Sequence, residues 1–316
     1  MRIIFMGSPK EVITPCETLL QFCKTDGHEF LGIISQPAKP AGRKKKLTDP
    51  PLATWGKEQG LLVLQPEKAK DPEFLNELES LKPDLIITAA YGQILTQRFL
   101  EIPTRGTINI HPSMLPKYRG ASPVQTALFD GLEETGVSIL FTVKALDAGN
   151  IICQQKSKIR PLETAGELMI RMFQLGGELL KEAISLLKDP QFTGHTQQEE
   201  LITHCHKFEK SSGTVDWTLS TDEIVHRFQA FHPWPGTFTF LNGKRVMIDK
   251  ISLSDKDFDD LEEREFKYFK SEKAVILRTK DGFLKIHKVK PEGSKLLDGA
   301  AFWNGLKISG KGKFDE

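Results

Sequence analysis

Short apolar runs recur along the first half of the chain, each followed by a polar stretch with helical spacing. Residues 2–7 (RIIFMG) predict a strand that ends at Gly-Ser-Pro, and a helix follows from Glu11 to Cys23. Residues 30–35 (FLGIIS), 61–65 (LLVLQ), 84–91 (DLIITAAY) and 106–111 (GTINIH) predict four more strands, with a helix over 71–81 after the third strand of this series. Near-continuous apolar strands separated by helices are the mark of a parallel sheet covered on both faces. Right-handed crossovers would make it a doubly wound α/β domain. Residues 136–143 and 150–157 predict later, partly antiparallel strands. Leu168, Met172, Leu175, Leu179, Ala183 and Leu186 recur at three- and four-residue steps and predict a long amphipathic helix over 164–187.

From 191 to 208 the pattern dissolves into polar residues, which reads as a linker. Beyond it the grammar changes. A helix is predicted over 220–231, then a break at His232-Pro233-Trp234-Pro235-Gly236. Strands 237–241 and 245–253 flank Asn242-Gly243, a strong hairpin signal. Strands 274–279 and 283–289 flank Asp281-Gly282. About a hundred residues of short strands with one or two helices suggest a small β-barrel of the oligonucleotide-binding (OB-like) type. The expected organisation is therefore a mostly parallel Rossmann-like domain over 1–190, a linker over 191–208 and a barrel domain over 209–316.

Composition narrows the classes. The chain of 316 residues balances 43 Lys+Arg against 42 Asp+Glu, so it is no uniformly basic nucleic-acid coat. Four cysteines, none in Cys-x-x-Cys spacing, make neither a disulfide framework nor a structural zinc site. His204 and His206, flanking Cys205, read as polar linker residues, and no metal is expected. The apolar run at the start is too short for a signal peptide, and no stretch is apolar enough to span a membrane, so a cytoplasmic protein is expected. Charge is local: residues 249–265 hold eight acids and three bases, and residues 266–313 twelve bases and four acids. Two solvated faces would explain this split; so would a basic surface that meets phosphates.

Candidate chemistry gathers in a few segments. Asn109 and His111 lie two apart on a predicted strand, hence on one face, and Pro112 ends that strand. Open α/β sheets bind ligands at such carboxyl ends. An amide and an imidazole there can hold a carbonyl oxygen and exchange a proton, although a strand-end His beside Asn is also a common structural feature. Asp147, in Leu-Asp-Ala-Gly, is placed to return to the same sheet end; it would orient the histidine and favour its charged form, or simply stabilise a turn. Residues 113–123 (SMLPKYRGASP) predict an irregular loop over the site. Residues 89–95 (AAYGQIL) could leave a slot for a flat heterocycle, or serve strand-to-helix packing. Residues 36–47 (QPAKPAGRKKKL) form a basic loop without an acid, suited to gripping phosphate.

Taken together, RIIFMGSP, QPAKPAGRKKKL, AAYGQIL, INIHPSMLPKYRGASP, ETGVSI, LDAGNII, VDWTLS, AFHPWPGTF and KPEGSKL resemble the methionyl-tRNA formyltransferase family over nearly the whole length. The resemblance implies a formyltransferase domain followed by a tRNA-binding barrel. It implies transfer of a formyl group from 10-formyltetrahydrofolate to the α-amine of initiator methionyl-tRNA, for translation initiation, with no metal. Asn109, His111 and Asp147 fall on the family's catalytic triad. Tyr91, Gly92, Ile94, Ser113, Met114, Leu115 and Pro116 are the implied folate contacts, with Met114 replacing a leucine. Arg43, Lys44, Lys45 and Lys46 are the implied tRNA contacts. Asn150 stands where an aspartate is frequent. A monomer without membrane partners is expected. Glycinamide ribonucleotide transformylase, formyltetrahydrofolate hydrolases and sugar N-formyltransferases share the Asn, His and Asp, so the basic loop and the second domain carry the specificity for tRNA.

Overall fold

The computed structural model describes residues 1–42 and 45–315. They form two compact units. The first comprises Met1–Pro123, Glu134–Ile159 and Leu168–Cys205; the second comprises Val124–Glu133, Arg160–Glu167 and the chain from His206 onward.

In chain order the first unit carries strands β1 (Arg2–Gly7), β2 (Glu29–Ile34), β3 (Lys39–Ala41), β4 (Lys46–Thr48), β5 (Val63–Leu64), β6 (Leu85–Ala89), β7 (Thr107–His111), β8 (Glu134–Phe141) and β9 (Ile151–Lys158). Seven of them make one sheet in the order β5-β2-β1-β6-β7-β8-β9, while β3 and β4 form a separate hairpin. Pairing is parallel from β5 to β7 and antiparallel across β7–β8 and β8–β9. The Rossmann-like reading therefore holds, with the two antiparallel strands where the sequence placed them. Ile3, Ile4, Phe5 and Met6 are all essentially inaccessible, which explains the unbroken apolar run: both faces of β1 are covered. The chain leaves β1 toward β2 and β5, then crosses back to β6, so the topological switch point lies between β1 and β6. The carboxyl ends of β6 and β7 lie next to that point.

Helices α1 (Ile13–Thr25), α2 (Pro51–Glu58), α3 (Pro72–Ser80), α4 (Gln97–Glu101) and α5 (Pro123–Phe129) connect these strands, and α6 (Ala165–Leu186) is the long amphipathic helix. Helices α2, α4 and α5 are five to eight residues long, too short to show a clear helical period, and α2 and α5 begin on prolines that read as loop. Close approach of α6 to the sheet requires a residue without a side chain at Gly176. A Cβ there would stand 2.4 Å from Ile110 Cγ2, on the strand that carries Asn109 and His111.

In the second unit Ser220 caps α7 (Thr221–Phe231) in a reciprocal box with Glu223. Strands β10 (Thr237–Leu241), β11 (Lys244–Leu253), β12 (Glu265–Phe269), β13 (Ala274–Arg278), β14 (Phe283–Pro291), β15 (Leu297–Asp298) and β16 (Gly312–Lys313) follow, with α8 (Gly299–Leu306) before β16. The sheet runs β10-β11-β14-β13-β12-β16, with β15 on β14. Past β16, Asp315 N donates to Phe240 O at 2.9 Å, so the curled sheet meets its own first strand in an OB-like barrel. Phe266 and Phe314 pack inside it with Trp217 and Phe302. Helix α8 escapes a sequence reading because its start, Asp-Gly-Ala, looks like a turn. In fact Asp298 caps it through Ala301 N.

The segment 191–208, which reads as a linker, is divided between the units. Its larger part, through Cys205, is hydrogen-bonded to the first unit: His195 pairs with Ile151, and His204 with Arg119. Phe208 packs in the second unit against Phe129 and Phe231.

The contact at Gly176 gives a stability test. Gly176→Ala should cost about 1–3 kcal/mol through overpacking, a loss of roughly 2–12 °C in apparent melting temperature for a unit of this size. A thermal melt followed by circular dichroism measures it, and an unchanged midpoint would contradict the packing described.

Candidate active site

Strand β7 places the two polar side chains. Asn109 pairs in register with Thr88 of β6, and His111 with Ser138 of β8. The Thr88 hydroxyl donates to Asn109 Oδ1 at 2.8 Å. That bond occupies the amide oxygen and leaves the amide NH2 as the group available to a ligand. His111 is 4% exposed, and its Nε2 lies 3.0 Å from the main-chain oxygen of Tyr118. A carbonyl only accepts, so this bond keeps a proton on Nε2. The other nitrogen, Nδ1, faces Asp147 Oδ2 at 3.6 Å. The same carboxylate oxygen accepts from Gly120 N at 2.9 Å. Thus the amide, the imidazole and the carboxylate named from the sequence are brought to one place.

Backbone strain gathers here. Ala90, Tyr118 and Asp147 all have left-handed backbones, with φ of 45°, 61° and 50°. Such residues cost on the order of 1–3 kcal/mol each and persist where the surroundings over-determine them. Two residues past Asp147, Gly149 lies against the end of the preceding strand, β8: a Cβ there would fall 1.8 Å from Phe141 O. Glycine in the Leu-Asp-Ala-Gly motif is thus required by close approach, and the tight return it permits brings Asp147 to His111.

These groups stand at the polar end of a cleft of about 640 Å³, within the range of small-molecule sites. Thr88, Asn109, His111 and Asp147 line it together with Tyr91, Gly92, Ile94, Val143 and Leu146. Ile94 and Leu146 are 88% and 70% exposed, large apolar side chains left open at the walls. Such a site suits a flat apolar ligand with one polar reacting end. Among the described residues no group of three or more His, Cys, Asp or Glu could hold a metal ion.

Of the folate contacts implied by resemblance, Tyr91, Gly92 and Ile94 line the cleft, whereas Ser113, Met114, Leu115 and Pro116 are not among its lining residues. Ser113 is inaccessible and donates to Lys117 O at 2.7 Å. Ser138 Oγ donates to Ser113 O at 2.6 Å and accepts from Leu115 N at 3.0 Å, and Gln154 Nε2 donates to Leu115 O at 2.9 Å. Leu115 packs on Leu140 and Ile151. Hydrogen bonds to its main chain therefore turn this loop inward, where it braces the chain between His111 and Tyr118. Tyr91 is buried in the same apolar cluster as Met6, Ile34 and Ile86; burial pushes its phenol up to about 12, so it stays protonated at neutral pH.

Arg43 and Lys44 lie outside the described residues. Lys45 and Lys46 are exposed on the β3–β4 hairpin. At the base of that hairpin Lys39 Nζ donates to Gln36 Oε1 at 2.6 Å, and Gln36 Nε2 donates to Tyr91 O at 2.5 Å, tying the hairpin to the cleft wall. Asn150 donates to Thr193 O at 2.9 Å, and the His206 ring pairs with Asp130 at 2.9 Å. Thr88, Arg119 and Gln197 also shape the site and escape a sequence reading. Most of their partners are main-chain or amide oxygens, which leave no pattern of spacing.

Residues 1–184 match the formyl transferase family, and residues 207–307 match the formyl transferase C-terminal domain. Over 310 residues the chain is 34% identical to the methionyl-tRNA formyltransferase of Ruminiclostridium cellulolyticum, covering 98% of this chain and 97% of that one. Over 282 residues it is 38% identical to the methionyl-tRNA formyltransferase of Marinobacter nauticus, covering 89% and 86%. Among solved structures, the sugar 3N-formyl transferase WlaRD, determined in the presence of dTDP and 5-N-formyl-THF, aligns with a TM-score of 0.64 at 18% identity. That alignment covers 93% of this chain and 99% of WlaRD, and it shows a shared fold.

The Tyr91 hydroxyl is buried without a hydrogen-bond partner. Removing an unsatisfied buried polar group is neutral or stabilising. Tyr91→Phe should therefore leave the melting midpoint unchanged or raise it, by up to about 1 kcal/mol of stability. A clear drop in thermal or urea denaturation would mean that the phenol has a partner.

Proposed function

The chain belongs to the methionyl-tRNA formyltransferase family, and on that premise we propose that it transfers a formyl group from 10-formyltetrahydrofolate to the α-amino group of methionyl initiator tRNA. The observation that carries the reading is the convergence of Asn109, His111 and Asp147 on one mostly apolar cleft. The folate is taken along the walls formed by Tyr91, Gly92, Ile94, Val143 and Leu146, and the formyl carbon faces the polar end.

The amine nitrogen attacks that carbon. One C–N bond forms, the bond to the folate nitrogen breaks, and the proton lost by the amine passes to the leaving nitrogen. Charge develops meanwhile on the formyl oxygen. The Asn109 NH2, turned outward because Thr88 occupies its oxygen, is a donor fixed before the substrate arrives. His111, whose Nε2–H is held by Tyr118 O, supplies the second donor through Nδ1 when that nitrogen carries a proton. Preorganised donors of this kind contribute on the order of 10²–10³ in rate each. Asp147 relays the proton from the amine toward the leaving folate nitrogen and stabilises charge on the imidazole.

The tRNA is a polyanion, so a chain of net charge +1 has to concentrate its bases. Two exposed places support the reading. One is the β3–β4 hairpin with Lys45 and Lys46, beside Arg43 and Lys44 in sequence. The other is the outer surface of β11 and β14, where Lys250 stands directly opposite Lys288 and Lys290 follows two residues on. Like charges facing each other across strands destabilise a sheet, and a phosphate backbone laid over them relieves the repulsion. Lys267, Lys311 and Lys313 instead pair with Asp260, Glu265 and Glu262 of the acidic run before them, and Lys285 pairs with Glu272 within the basic run, which is thus partly neutralised.

The direct experiment is incubation with 10-formyltetrahydrofolate and charged initiator tRNA, followed by mass analysis of the aminoacyl group. Formylated methionine is expected; release of formate without transfer would point to a hydrolase. His111→Ala should lower transfer on the order of 10²–10³-fold or more while folding and tRNA binding persist. Lys288→Ala should raise the KM for tRNA, leave that for folate unchanged, and reduce the salt slope of tRNA binding by about one. A slope that stays flat in salt for the unaltered protein would remove the electrostatic reading altogether.

A further inference from the structure

We propose that the polar strap 195–205 belongs to the catalytic apparatus, and that Gln197 is the positioning residue that sets the Asp147 carboxylate against His111. The inference rests on the formyl-transfer reading above and assigns a new residue to it.

Gln197 is 6% exposed and all its hydrogen-bonding capacity is used. Its Nε2 donates to the main-chain oxygens of Asp147 and Gly149, both at 2.8 Å. Its Oε1 accepts from Arg119 Nε at 3.0 Å and Arg119 Nη2 at 2.7 Å. Only a carboxamide presents two donors and two lone pairs in this arrangement. The donated bonds bracket the turn at Asp147, whose left-handed backbone needs outside support.

The rest of the strap secures the other side of the pair. His195 anchors it to Ile151 of β9 by two main-chain bonds, of 2.7 and 2.8 Å. Thr203 Oγ1 accepts from Tyr118 N at 2.9 Å and Thr203 O from Arg119 N at 2.9 Å, while Cys205 N donates to Arg119 O at 2.9 Å. Cys205 Sγ lies 3.3 Å from Tyr118 O, the oxygen that receives His111 Nε2. Gly120, in the same clamped loop, donates to Asp147 Oδ2. One strap therefore holds both the carbonyl that orients the imidazole and the turn that carries the carboxylate. No residue of 195–205 lines the cleft, so its influence passes through His111 and Asp147.

The test is a double-mutant cycle with kinetics resolved into kcat and KM. Gln197→Ala should lower kcat on the order of 10- to 100-fold, with KM for folate and tRNA within about twofold, because a misaimed group costs turnover rather than binding. In an Asp147→Asn background the same change should cost less than about twofold, since the carboxylate it aims is gone. Gln197→Glu keeps an acceptor for Arg119 but loses both donated bonds, and should be as impaired as Gln197→Ala; it also serves if the alanine variant folds poorly. Wild-type kcat in Gln197→Glu, or effects that multiply in the double variant, would overturn the proposal. The His111 ring Cε1–H resonance reads the same geometry without turnover and should move in Gln197→Ala. A protein that transfers no formyl group sinks the formyl-transfer reading, whereas an unmoved His111 resonance sinks the strap.

Discussion

Strand β7 is held in register between a parallel and an antiparallel neighbour, and the site depends on that register. Thr88 stands opposite Asn109 and Ser138 opposite His111. A slip of one residue would exchange the two faces of the strand, turning Asn109 and His111 away from the cleft and into the places where Ile108 and Ile110 now pack. The alternation of TINIH therefore sets both the packing of the strand and the polar side chains it turns to the cleft. Ile108 and Ile110 fix the strand in the core, and by doing so they aim the polar residues between and after them. Gly176 strengthens the constraint, because α6 presses on Ile110 at a distance that admits no side chain there.

From β7 the order spreads through hydrogen bonds to the main chain. Ser138 receives Leu115 N and donates to Ser113 O, which turns the loop after His111 inward. The loop then returns Tyr118 O to the imidazole. Left-handed backbones at Ala90, Tyr118 and Asp147 oppose this arrangement. The neutral bonds that hold it contribute about 1 kcal/mol each, and the Gly120 bond to a carboxylate about 1.5–3. Strain and support are of similar size, so the geometry survives only while most of the supporting bonds are made. Polar residues whose partners are backbone atoms matter here as much as those that face the cleft.

This explains which parts of the molecule were legible in the sequence. The strands of the parallel sheet and the helix α6 announce themselves, because burial on both faces or along one stripe imposes a composition. Asn109, His111 and Asp147 are legible as chemistry at a strand end and before a glycine. The Ser113–Pro116 loop and the 195–205 strap are not. The letters of a loop do not tell that Ser138 holds its main chain inward, and HTQQEELITHC is as polar as any linker although Gln197 is buried. Short helices such as α2 and α4 fail for a related reason, since two turns hold too few apolar positions to define a period.

The second unit shows the same limit for charge. Sequence order separates an acidic run from a basic one, but the curled sheet returns Asp260, Glu262 and Glu265 to Lys267, Lys313 and Lys311. These exposed pairs contribute little to stability, a median of about 0–1 kcal/mol. Their larger effect is on the field, because each neutralises a base on the surface of the second unit. What remains is set by strand pairing: Lys250 faces Lys288, and the neighbouring His287 is held below its ordinary range by burial and by Lys250 and Lys285. Positive charge is thus concentrated by β11–β14 register rather than by composition, which is how a chain of nearly zero net charge can present a surface suited to nucleic acid.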